Sequence, residues 1–282
     1  MAAEEFVLSV AGVEIAGKRW RNGARPVLAL HGWLDNAASF DALAPQLSDA
    51  DVVALDLAGH GLSYHRTPQG SYNVWDDLPD IVRIADRLGW SQFYLLGHSR
   101  GAIIAALLSA ALPERILGSV FLDGLTPPPL PIEATFAQLG RHLREHLQMP
   151  KLAARYQSLQ RALEVRCRVG AISEQAARPI VERGLLASAG SWQWRADPRL
   201  HFASAFKLSA PQIAVLVQAL AKIPHLLLLA ENGYGARMRS NGELDNLPLN
   251  WQFLPGSHHF HLEEQVGLIA EGVNRFFTAE NA

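Results

Sequence analysis

Tyr94 to Gly101 reads YLLGHSRG, and three kinds of residue meet in it. An apolar run, Phe93 to Leu96, stops at Gly97; Ser99 sits between His98 and Arg100; Gly101 opens a small-residue apolar segment, Ala102 to Leu112. The order predicts a strand, a sharp turn and a helix. In the pattern G-x-S-x-G the glycines flank the serine because side chains there would collide with strand and helix backbone. The serine oxygen is pushed out at the C-terminal edge of a parallel sheet, beside helix N–H groups that favour negative charge. Ser99 is a nucleophile candidate. The bland alternative is an ordinary strand-to-helix turn, and the rest of the chain must supply a base, an acid and an oxyanion hole to decide against it.

Working outward, short apolar strands alternate with helical patterns. Arg25 to Leu30 (RPVLAL), Asp51 to Leu57, Ser91 to Leu96 and Ile116 to Leu122 read as strands of a parallel sheet, and Phe6 to Ile15 as an antiparallel edge hairpin turning at Ala11 and Gly12. Ser39 to Leu47, Val74 to Leu88 and Ala102 to Leu112 have helical spacing. This rhythm argues for an α/β fold with a mostly parallel central sheet and helices on both faces. It breaks at Thr126 to Pro131 (TPPPLP), which continues neither strand nor helix. From there to Ser209 the patterns are helical only: Ile132 to Gln148, Leu152 to Arg168, Ser173 to Arg183, then a Trp-rich loop, Trp192 to Arg199. Ser209 with Gln212 forms a capping box, and strands resume at Pro224 to Ala230 and Trp251 to Leu254 before a closing helix with Val266, Ile269, Val273 and Phe276 on one face. The expected division is a core of residues 1–125 and 210–282 and a helical cap, 126–209, inserted after the sixth strand. In an open α/β sheet, ligands bind at the carboxyl ends of the strands, where such an insertion would lie as a lid.

Composition narrows the function. At 282 residues, 49% hydrophobic and 18% charged, the chain reads as globular, and its net charge of −2 gives no electrostatic reason to expect nucleic acid or an anionic membrane. The single cysteine, Cys167, excludes an intramolecular disulfide and fits a reducing compartment. The start, MAAEEF, is acidic, and the longest apolar runs, Ala102 to Leu108 and Ile223 to Ala230, are too short for a membrane span. The expected setting is the cytoplasm and the expected partner a small-molecule substrate.

Four motifs then stand in one order: HGWLDN at His31 to Asn36, DLAGHGLS at Asp56 to Ser63, GHSRG at Gly97 to Gly101 and PGSHHFHLE at Pro255 to Glu263. The chain resembles an α/β-hydrolase with a helical cap over nearly its whole length, and within that superfamily it is most similar to the serine-hydrolase-like proteins. The resemblance implies an acyl-transferring serine hydrolase that needs no cofactor and no metal, with a carboxylic ester as the default substrate.

The resemblance places the base on the loop between the last strand and the last helix, where His258, His259 and His261 stand. His258 fits the family frame, with His261, Leu262 and Glu263 following; His259 is the alternative. Three close histidines also read as metal ligands, without a matching cysteine or acidic cluster in the sequence to support it. Relatives carry the acid a few residues after the strand that follows the cap, but this turn reads LLLLAENGYGAR and Gly233 occupies the expected position. Asp123, at the end of the strand before the cap, is the replacement, with Glu231 as the second candidate and a turn-forming role as the bland reading of Asp123. Backbone N–H groups of Arg100 and Trp33 are the expected oxyanion hole. His98 and Arg100 either shape the pocket or pack beneath the turn. Trp192 and Trp194 either line an acyl pocket or anchor the cap. The absent acid at Gly233 leaves a non-catalytic ligand-binding module as one rival, and an acyltransferase or thioesterase as another.

Overall fold

The structure is a computed structural model that describes residues 2–148, 150, 153–188, 190–263 and 265–279. Eight strands form one sheet: β1 (Glu4–Val10), β2 (Val13–Arg21), β3 (Arg25–Leu30), β4 (Ala50–Leu55), β5 (Phe93–His98), β6 (Ile116–Leu122) and, much later, β10 (His225–Asn232) and β11 (Trp251–Ser257). Their order is β1-β2-β4-β3-β5-β6-β10-β11. The β1–β2 and β2–β4 pairings are antiparallel and the rest parallel, so β3 to β6, β10 and β11 all end on one side.

Alternation along the strands builds two cores, one on each face. Leu28, Leu30, Leu95, Leu227 and Leu229 face α1 (Leu78–Arg87), α2 (Arg100–Ala111) and α6 (Ala210–Leu220), while Val27, Ala29, Leu96, Leu228 and Ala230 face the closing helix α8 (Val266–Ala279). A strand buried on both faces has no room for a polar alternate, which is why β3 and β4 read as continuous apolar runs. Helix α8 buries Ile269, Val273 and Phe276 as their spacing predicts, and α6 begins at the Ser209–Gln212 capping box. Two predicted helices are shorter. Ser39 to Leu47 forms two 3₁₀ turns, the second with Pro45 in its first turn, and Val74–Asp77 is a 3₁₀ turn leading into α1, whose first turn holds Pro79. Proline has no N–H to continue a ladder from the preceding turn.

Between β6 and α6 the chain leaves the sheet. This segment carries α3 (Thr135–His146), α4 (Leu159–Gly170) and α5 (Glu174–Gly184), but it is not helical throughout. Arg155–Tyr156 (β7), Leu185–Ser188 (β8) and Ser191–Trp194 (β9) make a small antiparallel sheet in the order β7-β9-β8. The Trp-rich stretch read as a loop is its central strand, turned back by Gly190 at φ +75°. Alternating aromatic and polar residues suit a pleated, half-buried surface. Residues 151 and 152, part of the helix expected from Leu152, lie outside the described residues; α4 starts at Leu159, capped by Ser158, whose Oγ accepts from the Arg161 N–H. The segment has its own apolar cluster, including Leu163, Ala177, Val181 and Leu185. It meets the sheet through polar contacts as well: Arg183 pairs with the fully buried Asp56, and the Asn36 amide donates to the Ile180 carbonyl. Among the described residues no helix is long and apolar enough to cross a membrane.

Candidate active site

The turn after β5 is as tight as its sequence implies. Ser99 has φ +51° and ψ −113°, a conformation that L-residues avoid and that is held here by the Ser99 N–H bond to the Leu122 carbonyl, 3.0 Å, and by α2, whose Ala102 and Ile103 N–H groups donate to the Ser99 carbonyl. A Cβ on Gly101 would lie 1.9 Å from the Leu30 carbonyl oxygen, and one on Gly97 2.5 Å from the Gly101 oxygen. Only glycine fits at either position.

Two other strand ends supply the partners. The Asp123 carboxylate, at the tip of β6 and fully buried, accepts from the N–H groups of Ala230 (2.9 Å), Tyr234 (2.7 Å) and Gly235 (3.0 Å). The last two belong to α7 (Tyr234–Ser240), whose first turn thus faces the carboxylate. A fourth donor is His258, on the loop after β11: its Nδ1 lies 2.6 Å from Asp123 Oδ2 and its Nε2 2.9 Å from Ser99 Oγ. With Nδ1–H donating to a carboxylate that can only accept, Nε2 carries the lone pair that receives the serine O–H. Ser99, His258 and Asp123 therefore form one hydrogen-bonded chain. About a third of the His258 side chain is exposed, so the serine end is reachable.

The other candidates separate from this chain. His259 turns the opposite way, toward Asp35, and Glu231 stands exposed at the end of β10. Gly233 is empty for a spatial reason: a Cβ there would lie 2.1 Å from Asp123 Oδ2. The carboxylate from β6 already fills the space a side chain at 233 would enter.

The Trp33 N–H has no hydrogen-bond acceptor among the described residues, whereas Leu34 N–H donates to His60 Nε2 and Asp35 N–H to the Gly32 carbonyl. Arg100 opens α2, where first-turn N–H groups lack helical acceptors. Its side chain points away, to Asp77 at 2.8 Å and the Tyr72 carbonyl.

His98 does not line a pocket. It is fully buried beneath the turn, its Nε2–H donating to the His258 carbonyl at 2.9 Å, and burial together with His261, His258 and His259 pushes it well below the usual histidine range. Trp192 packs into the apolar cluster of the 126–209 segment. Trp194 does line a cavity, about 690 Å³, which is walled by that segment, Tyr156, Val165, Arg166 and Phe202 among it, and reaches the core at Leu34, one residue beyond Trp33.

Asp35 is the residue the sequence reading missed. It is buried and pairs closely with Arg166 of α4; its Oδ2 is 3.6 Å from His259 Nε2 and 3.8 Å from His98 Nδ1. Burial would raise its carboxyl, but Arg166, His259 and His98 outweigh that and hold it well below the usual carboxylate range. Asp35, His98 and His259 place ligand-type atoms within 4.8 Å of one another, yet the Arg166 guanidinium already supplies the compensating cation.

Comparison with known proteins agrees with this architecture. Residues 25–265 match the family model described as alpha/beta hydrolase fold. A serine hydrolase-like protein of Danio rerio is 32% identical over 93% of this chain and 84% of its own, and serine hydrolase-like protein 2 of Homo sapiens is 32% identical over 92% and 90%. The crystal structure of a hypothetical protein from Pseudomonas aeruginosa PAO1 superposes with a TM-score of 0.89 at 41% identity, covering 98% of both chains. A thioesterase domain from the curacin biosynthetic pathway, 23% identical over 97% of this chain and 99% of its own, shares the fold with a TM-score of 0.81. The chain belongs to the alpha/beta hydrolase fold family and is similar over most of its length to the serine hydrolase-like proteins.

Proposed function

We propose that the protein is a serine hydrolase that cleaves a small to medium carboxylic ester through a covalent acyl-enzyme, with 126–209 as a cap over the core. The observation that carries this reading is the unbroken chain Ser99 Oγ, His258 Nε2, His258 Nδ1, Asp123 Oδ2, at 2.9 and 2.6 Å. Ser99 Oγ attacks the ester carbonyl carbon while its proton passes to His258 Nε2; Asp123 holds the imidazole in the accepting tautomer and stabilises the imidazolium. The tetrahedral oxyanion is met by the N–H groups of Arg100 and Trp33, each worth about 3 to 4 kcal/mol. The C–O bond then breaks, His258 returns the proton to the departing alkoxide, and water attacks the acyl-enzyme by the same route reversed. The cap cavity mixes apolar walls such as Val165, Trp194 and Phe202 with Glu145, Arg166 and Asp197; Ser99 and His258 are not among its walls, so an acyl portion would reach it past Leu34. The non-catalytic reading rested on the glycine at 233 and loses that support, since Asp123 fills the same space.

The test is to treat the protein and Ser99→Ala with a fluorophosphonate and weigh each intact, then assay esters and thioesters of increasing chain length, with added alcohols to detect transfer. A Ser99-dependent mass increase and ester turnover are expected. A folded protein that neither labels nor turns over any ester would refute the proposal, and preference for thioesters or for transfer to the alcohol would replace the ester assignment.

A further inference from the structure

His98 and His259 are chain neighbours of Ser99 and His258, and both converge on Asp35, which sits two residues beyond Trp33. The groups facing this carboxylate come from four elements. His98 is at the end of β5, His259 on the loop after β11, Ser39 Oγ in the 3₁₀ turn after β3 at 3.4 Å, and Arg166 on α4 of the cap. His261 joins through Ser39 Oγ at 3.3 Å, and His31 and His60 lie close enough to feel the charge. Arg166 is the one permanent cation in the set, and its Nη2 also lies 3.5 Å from His259 Nε2. Because His98 Nε2–H holds the His258 carbonyl, anything that turns His98 moves the base, and a proton on His98, whose ring centroid is 4.8 Å from that of His258, opposes the second positive charge that His258 takes up as a base.

We propose that Arg166 is a positioning residue: seated on Asp35, it carries the state of the cap to the Ser99–His258 pair through His98 and His259. With the guanidinium in place the Asp35 carboxylate is compensated, and His98 is held well below the usual histidine range. Withdrawn with the cap, it leaves a buried carboxylate whose nearest source of compensation is a proton on His98 or His259. His98 Nδ1, buried and without a hydrogen-bond partner among the described residues, is poised to take that proton. A cap displaced from the core would thus disarm the site without touching Ser99, His258 or Asp123. The role rests on the function proposed above, but the electrostatic coupling can be read without turnover.

The experiment compares Arg166→Met, Arg166→Lys and the pair Asp35→Asn/Arg166→Met. Arg166→Met is expected to lower kcat by about 10²-fold with KM within threefold, and to bend the pH–rate profile. Arg166→Lys, which keeps the charge but not the fork, is expected to lose about tenfold. The double variant removes the stranded charge and should recover at least tenfold over Arg166→Met, the non-additivity expected of coupled groups. Independently of turnover, ¹⁵N spectra of the imidazoles should show His98 protonated near pH 7 in Arg166→Met and neutral in the wild type and the double variant. Unchanged imidazole spectra would overturn the coupling even if no ester is turned over. A change confined to KM would make Arg166 a substrate contact instead, since it also lines the cavity. If Arg166→Met does not fold, Arg166→Lys carries the test: kcat within threefold of wild type together with unchanged imidazole spectra would refute the role.

Discussion

Moving the acid tests the site most sharply. Four N–H donors converge on Asp123: His258 Nδ1–H and the backbone of Ala230, Tyr234 and Gly235. In Asp123→Asn the single oxygen can keep Ala230 and Gly235, but the amide NH₂ then faces the Tyr234 N–H and His258. One backbone donor is orphaned, lowering stability by about 1 to 3 kcal/mol. His258 answers by moving its proton to Nε2, where it can no longer take the serine proton, and kcat should fall about 10⁴-fold, or about 5 kcal/mol of transition-state stabilisation. The compensating variant follows from the 2.1 Å approach of a Cβ at 233 to Asp123 Oδ2. Asp123→Gly frees that volume and suits the local φ of +42°, so adding Gly233→Asp should recover at least about 10²-fold of the loss. Gly233→Asp alone should be inactive, two carboxylates being forced into one space. Fluorophosphonate labelling rates, with thermal unfolding to establish that each variant folds, decide the matter. Asp123→Asn within tenfold of wild type would place the acid elsewhere, and no gain from the second substitution would refute the spatial equivalence of 123 and 233.

Three further outcomes are expected. Breaking the Arg183–Asp56 pair with Arg183→Met strands a fully buried carboxylate, and urea unfolding should register a loss of about 3 to 5 kcal/mol; Asp56→Asn added to it should return part of that. In Gly101→Ala the new Cβ meets the Leu30 carbonyl at 1.9 Å, so stability should fall by about 3 kcal/mol, against about 1 kcal/mol for Gly89→Ala, which has a positive φ but open space. Burial holds His31, His60, His98 and His261 below the ordinary histidine value, His261 at about 3. Their contribution is complete above about pH 6.5 and is lost as pH falls, because the unfolded chain takes up protons that the native state refuses. His261 alone is worth about 2 kcal/mol between pH 7 and pH 5. Asp35 does not offset this, its own contribution being lost only below the carboxylate range. Equal urea midpoints at pH 7 and pH 5 would contradict the buried neutral histidines.

The sheet was legible because strands buried on both faces must be apolar throughout, and the apolar runs break at His31 and Gly32 after β3, at Gly97 near the end of β5 and at Asp123 after β6, where the chain leaves the core. Ser99 was legible because the turn constrains three residues within five. Asp123 and His258 are 135 residues apart, brought together only by the pairing of β6 with β10 and β10 with β11, so local pattern could nominate them and not join them. Asp35 stands in the HGWLDN motif, but nothing local pointed to its ion pair: its partner Arg166 lies 131 residues away on a helix whose sequence looks like any solvated amphipathic one. The small sheet was missed because two- and four-residue strands are too short to show a period, and the tryptophans that mark β9 are as common in loops that anchor aromatics.

The placement of Asp123 before the excursion and His258 after it has a consequence for divided chains. A chain cut at the Gly190 turn leaves an N-terminal piece with β1 to β6, Ser99 and Asp123, and a C-terminal piece with β10, β11 and His258. Neither piece holds the full hydrogen-bonded set, and the seam between them in the main sheet is the single β6–β10 ladder, His225 to Leu228 against Ser119 to Leu122. Complementation of the two halves would therefore report reunion at that ladder with no background from either half, with fluorophosphonate labelling of Ser99 as the readout expected from the proposed function.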